Sequence, residues 1–208
     1  MQSLYFDIVP TSGEAYLQDY KSGEESIWQA SAAEQRHIKN CIMGMVYQNP
    51  IRGLRMEYSA ASNIAEKLIA AGNRSAGHMT ERAKELLSAV EILTSRMGEA
   101  PKNFSGGMQQ RVQISKALAN NPSLLLLDEV TTGLDLSVQA KVLDLIRKIK
   151  AKYGISILLV SHDLAVIRML ADRTVVMLDG KIIESGLTDQ ILEDPQHAYT
   201  QQLVHSLL

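Results

Sequence analysis

The sequence predicts an α/β fold built on a parallel sheet. Short apolar runs with strand character recur along the chain, and segments with a helical spacing of apolar residues lie between them. The runs are near-continuous rather than alternating, which is typical of parallel strands that helices cover on both faces. With 208 residues and 46% hydrophobic content, the chain is long enough to form one domain with a sizeable core.

The individual elements follow from the same patterns. Strands are predicted at residues 44–47, 124–127, 155–160 and 174–178, with a short fifth strand at 181–183. Helices are predicted at residues 61–71, 80–92, 108–120, 138–150 and 164–170. Pro10 and residues 11–13 indicate a turn that leads into a short strand at 14–18. Because residues 50–120 carry three helical patterns and no clear strand, we expect a helical insertion there.

The bulk composition limits the partners and the compartment. The 21 basic and 23 acidic residues nearly cancel, so no global field favours nucleic acid or an anionic bilayer. A single cysteine, Cys41, fits a reducing compartment. No apolar run approaches the roughly 18 residues of a membrane span, and the N-terminus does not resemble a signal peptide. We therefore expect a cytoplasmic protein, whose contact with the inner membrane would be made through a partner.

The segment "LLLLDEV", residues 124–130, ends a predicted buried strand with two acids, Asp128 and Glu129. In a parallel α/β sheet, ligands bind beyond the carboxyl ends of the strands. An apolar strand that ends in Asp-Glu is typical of the Walker B pattern, in which the Asp helps to hold Mg²⁺ and the Glu polarises an attacking water. For an isolated example, two acids that simply face water are an equally good interpretation.

The segment "FSGGMQQR", residues 104–111, predicts the start of a helix. Ser105 is a plausible N-cap, and Gly106 and Gly107 expose N–H groups at the positive end of the helix dipole, where a phosphate can bind. The alternative is a serine-capped helix with two permissive glycines. Each glycine, however, lowers helix stability by about 1 kcal/mol relative to alanine. A close approach to something bulky would explain that loss.

Two further polar residues stand at predicted strand ends. His162, in "LLVSHDLAVI", follows a strand and precedes a helix, so it either faces a ligand or caps that helix. Gln48, in "MVYQNP", ends a short strand just before Pro50, which is expected to interrupt regular structure. Taken singly, each is more simply interpreted as a solvated or locally hydrogen-bonded side chain.

Together, and in this order, these features resemble the ATP-binding subunits of ABC transporters. Gln48, the helix start at 105–107, Asp128-Glu129, the turn "TTGLD" ending at Asp135, and His162 resemble the Q-loop, signature, Walker B, D-loop and H-loop. The resemblance covers essentially the whole chain and implies a P-loop NTPase-like three-layer sandwich. It implies a single domain over residues 1–208, in which 49–121 form a helical subdomain and 1–48 and 122–208 form the α/β core.

The resemblance also implies a role for each residue. Two subunits would meet head to tail, as a homo- or heterodimer, with ATP and Mg²⁺ between them. Asp128 and Gln48 would face the Mg²⁺. Glu129 would be the general base for water, and His162 would contact the γ-phosphate. The implied nucleotide-binding and dimer-contact residues are Gln48, Ser105, Gly106, Gly107, Gln109 and Asp135.

The 208 residues contain no G-x-x-x-x-G-K-[ST] segment, although the resemblance places one first. The only Gly-Lys pair, Gly180-Lys181, has Val175 and Ile182 where the motif needs glycine and a hydroxyl. By resemblance, Met1 falls inside the helix that follows this element, and a strand beside residues 155–160 is missing. We therefore expect the chain alone to bind ATP weakly, to hydrolyse none and to expose a hydrophobic sheet edge. The alternative is a catalytically silent module that donates only its signature helix.

Two subgroups of the family share local features with the chain. The turn at residues 53–55, the segment "SAASNI" and "FSGGMQQRVQISKAL" resemble ATP-binding subunits of the phosphonate carbon-phosphorus lyase system. The tail from Pro195 to Thr200 resembles di- and oligopeptide importer ATPases. We favour the first interpretation. The implied partners are a second ATPase subunit and either the lyase core complex or a membrane permease, with no nucleic acid.

Overall fold

The centre of the fold is a three-stranded parallel sheet in the order β1-β2-β3. Its strands are Met43–Val46 (β1), Leu124–Asp128 (β2) and Ser156–Val160 (β3). The sheet belongs to the first of two compact units, Met1–Val160; the second is Ser161–Leu208. The computed structural model describes residues 1–205. The predicted α/β class is confirmed, and the strands predicted at 44–47, 124–127 and 155–160 are found with small shifts at their ends.

Helices surround this sheet in the first unit. They are Ala32–His37 (α1), Pro50–Gly53 (α2), Ala60–Ala70 (α3), Ala76–Ala89 (α4), Gly106–Ala117 (α5) and Leu136–Tyr153 (α6). Short 3₁₀ turns lie at Lys21–Gly23, Ile27–Gln29, Thr94–Arg96 and Pro101–Asn103, and a π turn lies at Ile38–Ile42. The helix predicted at 80–92 begins earlier, because Ser75 accepts the N–H of His78 and caps it. It also ends earlier, because Glu91 has a positive φ of 58° that does not continue a helix.

The two faces of the sheet are covered differently. Met43, Met45 and Leu126 point into a buried cluster formed with the N-terminal segment, including Tyr5 and Ile38. On the opposite face the strand approaches α5 closely. A Cβ on Gly44 would lie 2.7 Å from the carbonyl oxygen of Ala117, so a side chain there would push the strand away from the helix. The close approach fixes α5 against the strand that leads to Gln48.

The N-terminal segment departs from two expectations. The strand predicted at 14–18 is wrong: its backbone bonds locally, with the Ala15 N–H donating to Ser26 Oγ (3.2 Å) and its carbonyl accepting from the Ile27 N–H (2.8 Å). Local partners thus satisfy the backbone N–H and carbonyl of Ala15, which in a strand would bond to a neighbouring strand. The helix implied around Met1 is a single turn, closed by the Tyr5 N–H donating to the Met1 carbonyl at 3.1 Å.

Pro50 begins a helix, contrary to the expectation that it interrupts regular structure. It is the first residue of α2, and the side chain of Asn49 accepts the N–H of Ile51 at 3.0 Å. Proline suits this position because its fixed φ is helical and its missing N–H has no intrahelical partner there. Asn49-Pro50 therefore turns the chain sharply just after Gln48.

Strand β3 is less covered than the expected two-sided sheet. Among the described residues it pairs with β2 alone, and Leu158 and Val160 are 42% and 43% exposed. The prediction of cover on both faces is therefore wrong for this strand. An edge strand with exposed apolar side chains offers unpaired backbone groups to another strand.

The second unit contains an antiparallel hairpin. Its strands are Arg173–Leu178 (β4) and Lys181–Leu187 (β5), and its helices are Leu164–Leu170 (α7), Thr188–Glu193 (α8) and Ala198–His205 (α9). The expectation that these strands join the parallel sheet is wrong. Asp179 and Gly180 both have positive φ, 48° and 75°, as the tight turn of a two-residue hairpin requires. The Gly-Lys pair thus lies at a hairpin turn, and β5 is longer than predicted.

Candidate functional site

Two of the predicted site residues are in direct contact. Gln48 follows β1, Glu129 follows β2, and the parallel register brings both strand ends to one edge of the sheet. The Nε2 of Gln48 donates a hydrogen bond of 2.8 Å to Glu129 Oε2. Asp128, the last residue of β2, lies at the same edge and is partly exposed. The arrangement places one carboxamide and two carboxylates together at the carboxyl edge of the parallel strands.

Glu129 is held in an unusual backbone conformation. Its φ is 46°, in the left-handed region that non-glycine residues rarely adopt. Its N–H donates to the Val160 carbonyl at 3.0 Å, and the Thr132 hydroxyl donates to its Oε2 at 3.2 Å. These contacts compensate for the local strain, and such strain clusters at functional sites. The carboxylate orientation is therefore set by both the backbone and its neighbours.

The start of α5 presents an exposed N-terminus. Ser105 caps it, accepting the Met108 N–H at 3.4 Å, and both Ser105 and Gly106 are exposed. Gly107 is buried against α6. A Cβ added to it would lie 2.3 Å from Cγ1 of Val138, so the position has no room for a side chain. A Cβ on Gly106 would meet nothing closer than 4.0 Å. Internal packing thus explains the second glycine, whereas the first remains open to solvent.

The side chain of Gln109 turns back toward its own loop. Its Nε2 donates to the carbonyls of Pro101 and Phe104, at 3.0 and 3.1 Å. These bonds tie the 3₁₀ turn before α5 to the first turn of the helix. The implied nucleotide contact of Gln109 remains a prediction.

Two buried glutamines of α5 were not singled out by the sequence reasoning. The Tyr47 N–H donates to Gln113 Oε1 at 2.9 Å, and Gln113 Nε2 donates back to the Tyr47 carbonyl at 3.0 Å. Gln110 Nε2 donates to the Val130 carbonyl at 3.1 Å, and its Oε1 accepts from Gln113 at 2.8 Å. Helix α5 therefore holds the chain on both sides of the Gln48–Glu129 contact. The available signal was two glutamines three residues apart among the apolar residues of a buried helix.

Asp135 is the N-cap of α6. Its Oδ1 accepts from the Ser137 hydroxyl at 2.7 Å and from the Val138 N–H at 3.0 Å. These hydrogen bonds, the hydroxyl first, hold the pKa of the Asp135 carboxyl below its ordinary value. The side chain is exposed, and its implied role at a dimer contact remains a prediction.

His162 lies at the beginning of the second unit and is exposed. The residue that caps α7 is Asp163, whose Oδ1 accepts the N–H of Ala165 at 2.9 Å. The alternative in which His162 caps that helix is therefore wrong. Its implied contact with a γ-phosphate remains a prediction.

The groups at the edge of the first-unit sheet suit a hard cation. Mg²⁺ prefers oxygen ligands, which the carboxylate of Asp128 and the carboxamide oxygen of Gln48 supply. Within residues 1–205, no group of three or more His, Cys, Asp or Glu side chains could hold a metal ion. Over the same residues, none of the helices has the length and apolar character needed to cross a bilayer.

Comparison with known proteins decides the family. Residues 2–132 match the ABC transporter family. The chain belongs to this family, as an ATP-binding subunit. It is 43% identical over all 208 residues to the putative phosphonates utilization ATP-binding protein PhnK of Escherichia coli (strain K12), of which it covers 81%. It is also 40% identical over 179 residues to the oligopeptide transport ATP-binding protein OppD of Bacillus subtilis (strain 168), of which it spans half.

Solved structures of ABC ATPases share the fold. The cassette MJ0796, in a dimeric post-hydrolysis state bound to ADP and Pi, superposes with a TM-score of 0.76 at 29% identity. The alignment covers 90% of this chain and 78% of that one. A second dimeric structure of MJ0796 superposes with a TM-score of 0.78 at 28% identity. ABC ATPases bind ATP with Mg²⁺, and cassettes of this family dimerise.

Proposed function

We propose that this ATP-binding subunit acts in phosphonate carbon-phosphorus lyase metabolism, as one half of a head-to-tail dimer that encloses ATP. The similarity to PhnK supports this assignment, because it extends over the whole chain and over 81% of that protein. The similarity to the oligopeptide transport protein extends over half of its length. The lyase core complex is the proposed partner assembly.

The observation that carries the nucleotide role is the hydrogen bond from Gln48 to Glu129 at the carboxyl edge of β1 and β2. Asp128 and Gln48 would hold Mg²⁺ through oxygen atoms. When bound, MgATP supplies the phosphoryl group to be transferred and a metal that neutralises its charge. Glu129 would orient a water and take its proton, while Gln48 and Thr132 fix the direction of its carboxylate.

The exposed start of α5 would serve a nucleotide held mainly by the opposite subunit. Ser105 and the N–H groups of Gly106 and Gly107 would contact its γ-phosphate, because a helix N-terminus attracts anions. Gln109 would support this contact by fixing the loop that precedes the helix. Asp135 would lie at the subunit boundary, and His162 would contact a γ-phosphate.

The 208 residues alone are proposed to be inactive, since they contain no G-x-x-x-x-G-K-[ST] segment to cradle the phosphates. Phosphate release is measured for the pure chain and for its mixture with an ABC ATPase subunit that carries this segment. We expect no Mg-dependent turnover from the pure chain, and more turnover from the mixture than from the added subunit alone. Robust turnover by the pure chain that Glu129→Gln abolishes would contradict the inactive state.

A matched pair of variants tests the signature helix in the mixture. Gly106→Glu adds a negative charge where a γ-phosphate would bind, while Gly106→Gln adds a neutral side chain of the same size. Both fit, because the position is open. We expect the Glu variant to lower turnover far more than the Gln variant. Equal turnover in the two variants would contradict a phosphate contact at the start of α5.

The silent-module alternative is separated by Glu129→Gln in the same mixture. If the chain only donates its signature helix, Gly106→Glu lowers turnover and Glu129→Gln leaves it unchanged. If this chain also contributes a hydrolytic site, both variants lower turnover.

A peptide importer is the second candidate. It is favoured by the similarity to the oligopeptide transport protein and by the resemblance of the tail from Pro195 to Thr200 to importer ATPases. Affinity purification of the tagged chain from its own cells separates the two systems. Recovery of lyase-complex proteins supports the first proposal, and recovery of a permease supports the second.

A further inference from the structure

A cavity in the first unit lies among the N-terminal segment, α2, α3 and α5. It has a volume of about 270 Å³. Five cationic side chains line it, against a single lining carboxylate, that of Glu66. The cations are Arg36, Lys39, Arg52, Lys67 and Lys116. Such an excess of positive charge around a small cavity attracts anions.

Internal carboxylates balance only part of this charge. Lys39 pairs with Asp7 at 2.9 Å, and Lys116 pairs with Glu66 at 2.6 Å. Across residues 1–205, no carboxylate lies within ion-pair distance of the three other cations, Arg36, Arg52 and Lys67. The cavity therefore carries a net positive charge that the described part of the fold does not neutralise.

Lys67 is the innermost of these groups. Its Nζ donates to the Tyr5 hydroxyl at 2.9 Å and to the Lys39 carbonyl at 2.5 Å, both neutral acceptors. Because an ammonium group has three N–H donors, one is left for a further acceptor. Burial, followed by repulsion from Lys116 and Lys39, lowers its pKa to about 8. A bound anion would offset both effects.

The rim of the cavity adds a planar donor. The Arg52 guanidinium lies over the Tyr47 ring, 5.1 Å from its centre, which holds the group at the cavity without engaging its N–H donors. Arg36 is exposed and also reaches the rim. Arginine forks match the oxygen geometry of phosphate and phosphonate groups, which can accept several hydrogen bonds at once.

We propose that this cavity binds a phosphate-type oxyanion, either inorganic phosphate or the phosphoryl or phosphonyl group of a small metabolite. Lys67 and Lys116 would donate from the floor and Arg36 and Arg52 from the rim. The cavity lining includes none of Gln48, Asp128 and Glu129, so the proposal does not depend on the proposed function.

Equilibrium dialysis of the 208-residue chain against radiolabelled phosphate tests the proposal. We expect saturable binding of one phosphate per chain. Methylphosphonate should compete, which places the shared PO₃ group at the site, while acetate should not. If methylphosphonate competes more strongly than unlabelled phosphate, the natural ligand is a phosphonate. If unlabelled phosphate competes more strongly, the natural ligand is inorganic phosphate.

Variants localise the binding. Arg52→Gln and Lys67→Met should each weaken phosphate binding by about tenfold or more, because each removes a charge-assisted donor. Arg74→Gln, which removes an exposed charge outside the cavity, should leave it unchanged. If Lys67→Met fails to fold, Arg36→Gln with Arg52→Gln carries the test, since both residues are exposed.

Three results would overturn the proposal. One is the absence of saturable phosphate binding to the folded chain. Another is equal affinity in the wild type and the cavity variants. The third is a loss of binding in Gly106→Glu with none in Arg52→Gln, which would move the phosphate to the start of α5.

Discussion

The carboxamide of Gln113 exchanges two hydrogen bonds with the backbone of Tyr47, the residue before Gln48. Gln113 is 1% exposed, so this pairing satisfies a backbone N–H and carbonyl inside the first unit. The buried carboxamide of Gln113 thereby fixes the backbone immediately before Gln48.

Replacing Gln113 by Leu should destabilise the chain. The leucine fills similar space but leaves the Tyr47 N–H and Gln110 Oε1 without the partner that Gln113 provides, at a cost of about 2–3 kcal/mol. Urea denaturation followed by circular dichroism measures the loss. Gln190→Leu, at an exposed helical position, is the control and should shift the free energy of unfolding by less than about 0.5 kcal/mol. Equal shifts would show that the Tyr47 pairing contributes little.

Alanine should have opposite effects at the two signature glycines. Gly107→Ala brings a methyl group 2.3 Å from Val138 Cγ1 and should destabilise the chain by about 1–3 kcal/mol. Gly106→Ala meets open space and should be neutral or stabilising by up to about 1 kcal/mol. Thermal unfolding compares the two. Adding Val138→Ala should restore part of the loss at Gly107, and no restoration would contradict the steric explanation.

Lys67 should make stability depend on alkaline pH. Its pKa falls from 10.5 in the unfolded chain to about 8 in the fold, so between these values the unfolded state binds more protons. Stability should therefore rise with pH through this window, by up to about 3 kcal/mol, whereas below about pH 8 the unfavourable charge is fully present. Urea titrations of the wild type and Lys67→Met at several pH values measure the difference. A difference that does not change with pH would contradict the burial of a charged Lys67.

Glu184 should control the order of the tail. Its carboxylate accepts two backbone N–H groups, the one of Gln196 first, and these bonds lower its pKa. Because the folded pKa is depressed, this contribution is present above the unfolded pKa and is lost as pH falls through the folded value. Hydrogen exchange of a peptide covering residues 195–205 should become faster in Glu184→Ala than in the control Glu193→Ala. Equal rates in the two variants would assign the order of the tail to other contacts.

The exposed edge of β3 should cause self-association of the pure chain. Leu158→Lys places a charge on that edge and should shift the chain toward a monomer, because charged side chains block strand pairing. Analytical ultracentrifugation measures the distribution. Leu93→Lys, which removes a more exposed leucine elsewhere, is the control and should leave the distribution unchanged. A wild-type chain that is monodisperse and monomeric would contradict the prediction.

Local patterns predicted much of the fold because they coincide with the packing. The four leucines at 124–127 are fully apolar and became the central strand, and Ser105 capped the helix that its position indicated. The strand at 14–18 failed because a single serine hydroxyl, that of Ser26, offers a local partner. Which hydrogen-bond partner a backbone group finds depends on tertiary contacts, and these leave no periodic pattern in the sequence.

The candidate site shows the same division. Strand ends placed Gln48, Asp128 and Glu129 at one edge, because the parallel register follows from the fold class. Only the spacing of Gln110 and Gln113 pointed to their roles, since an interior glutamine otherwise resembles a surface one in sequence. The cavity around Lys67 was equally hidden, because its lysines come from separate elements and the net charge of the chain is near zero.

Gly107 and Val138 pack together within the first turns of α5 and α6. The exposed N-caps of these helices, Ser105 and Asp135, therefore flank a shared packing contact. We expect a shift of either cap to move the other through this contact.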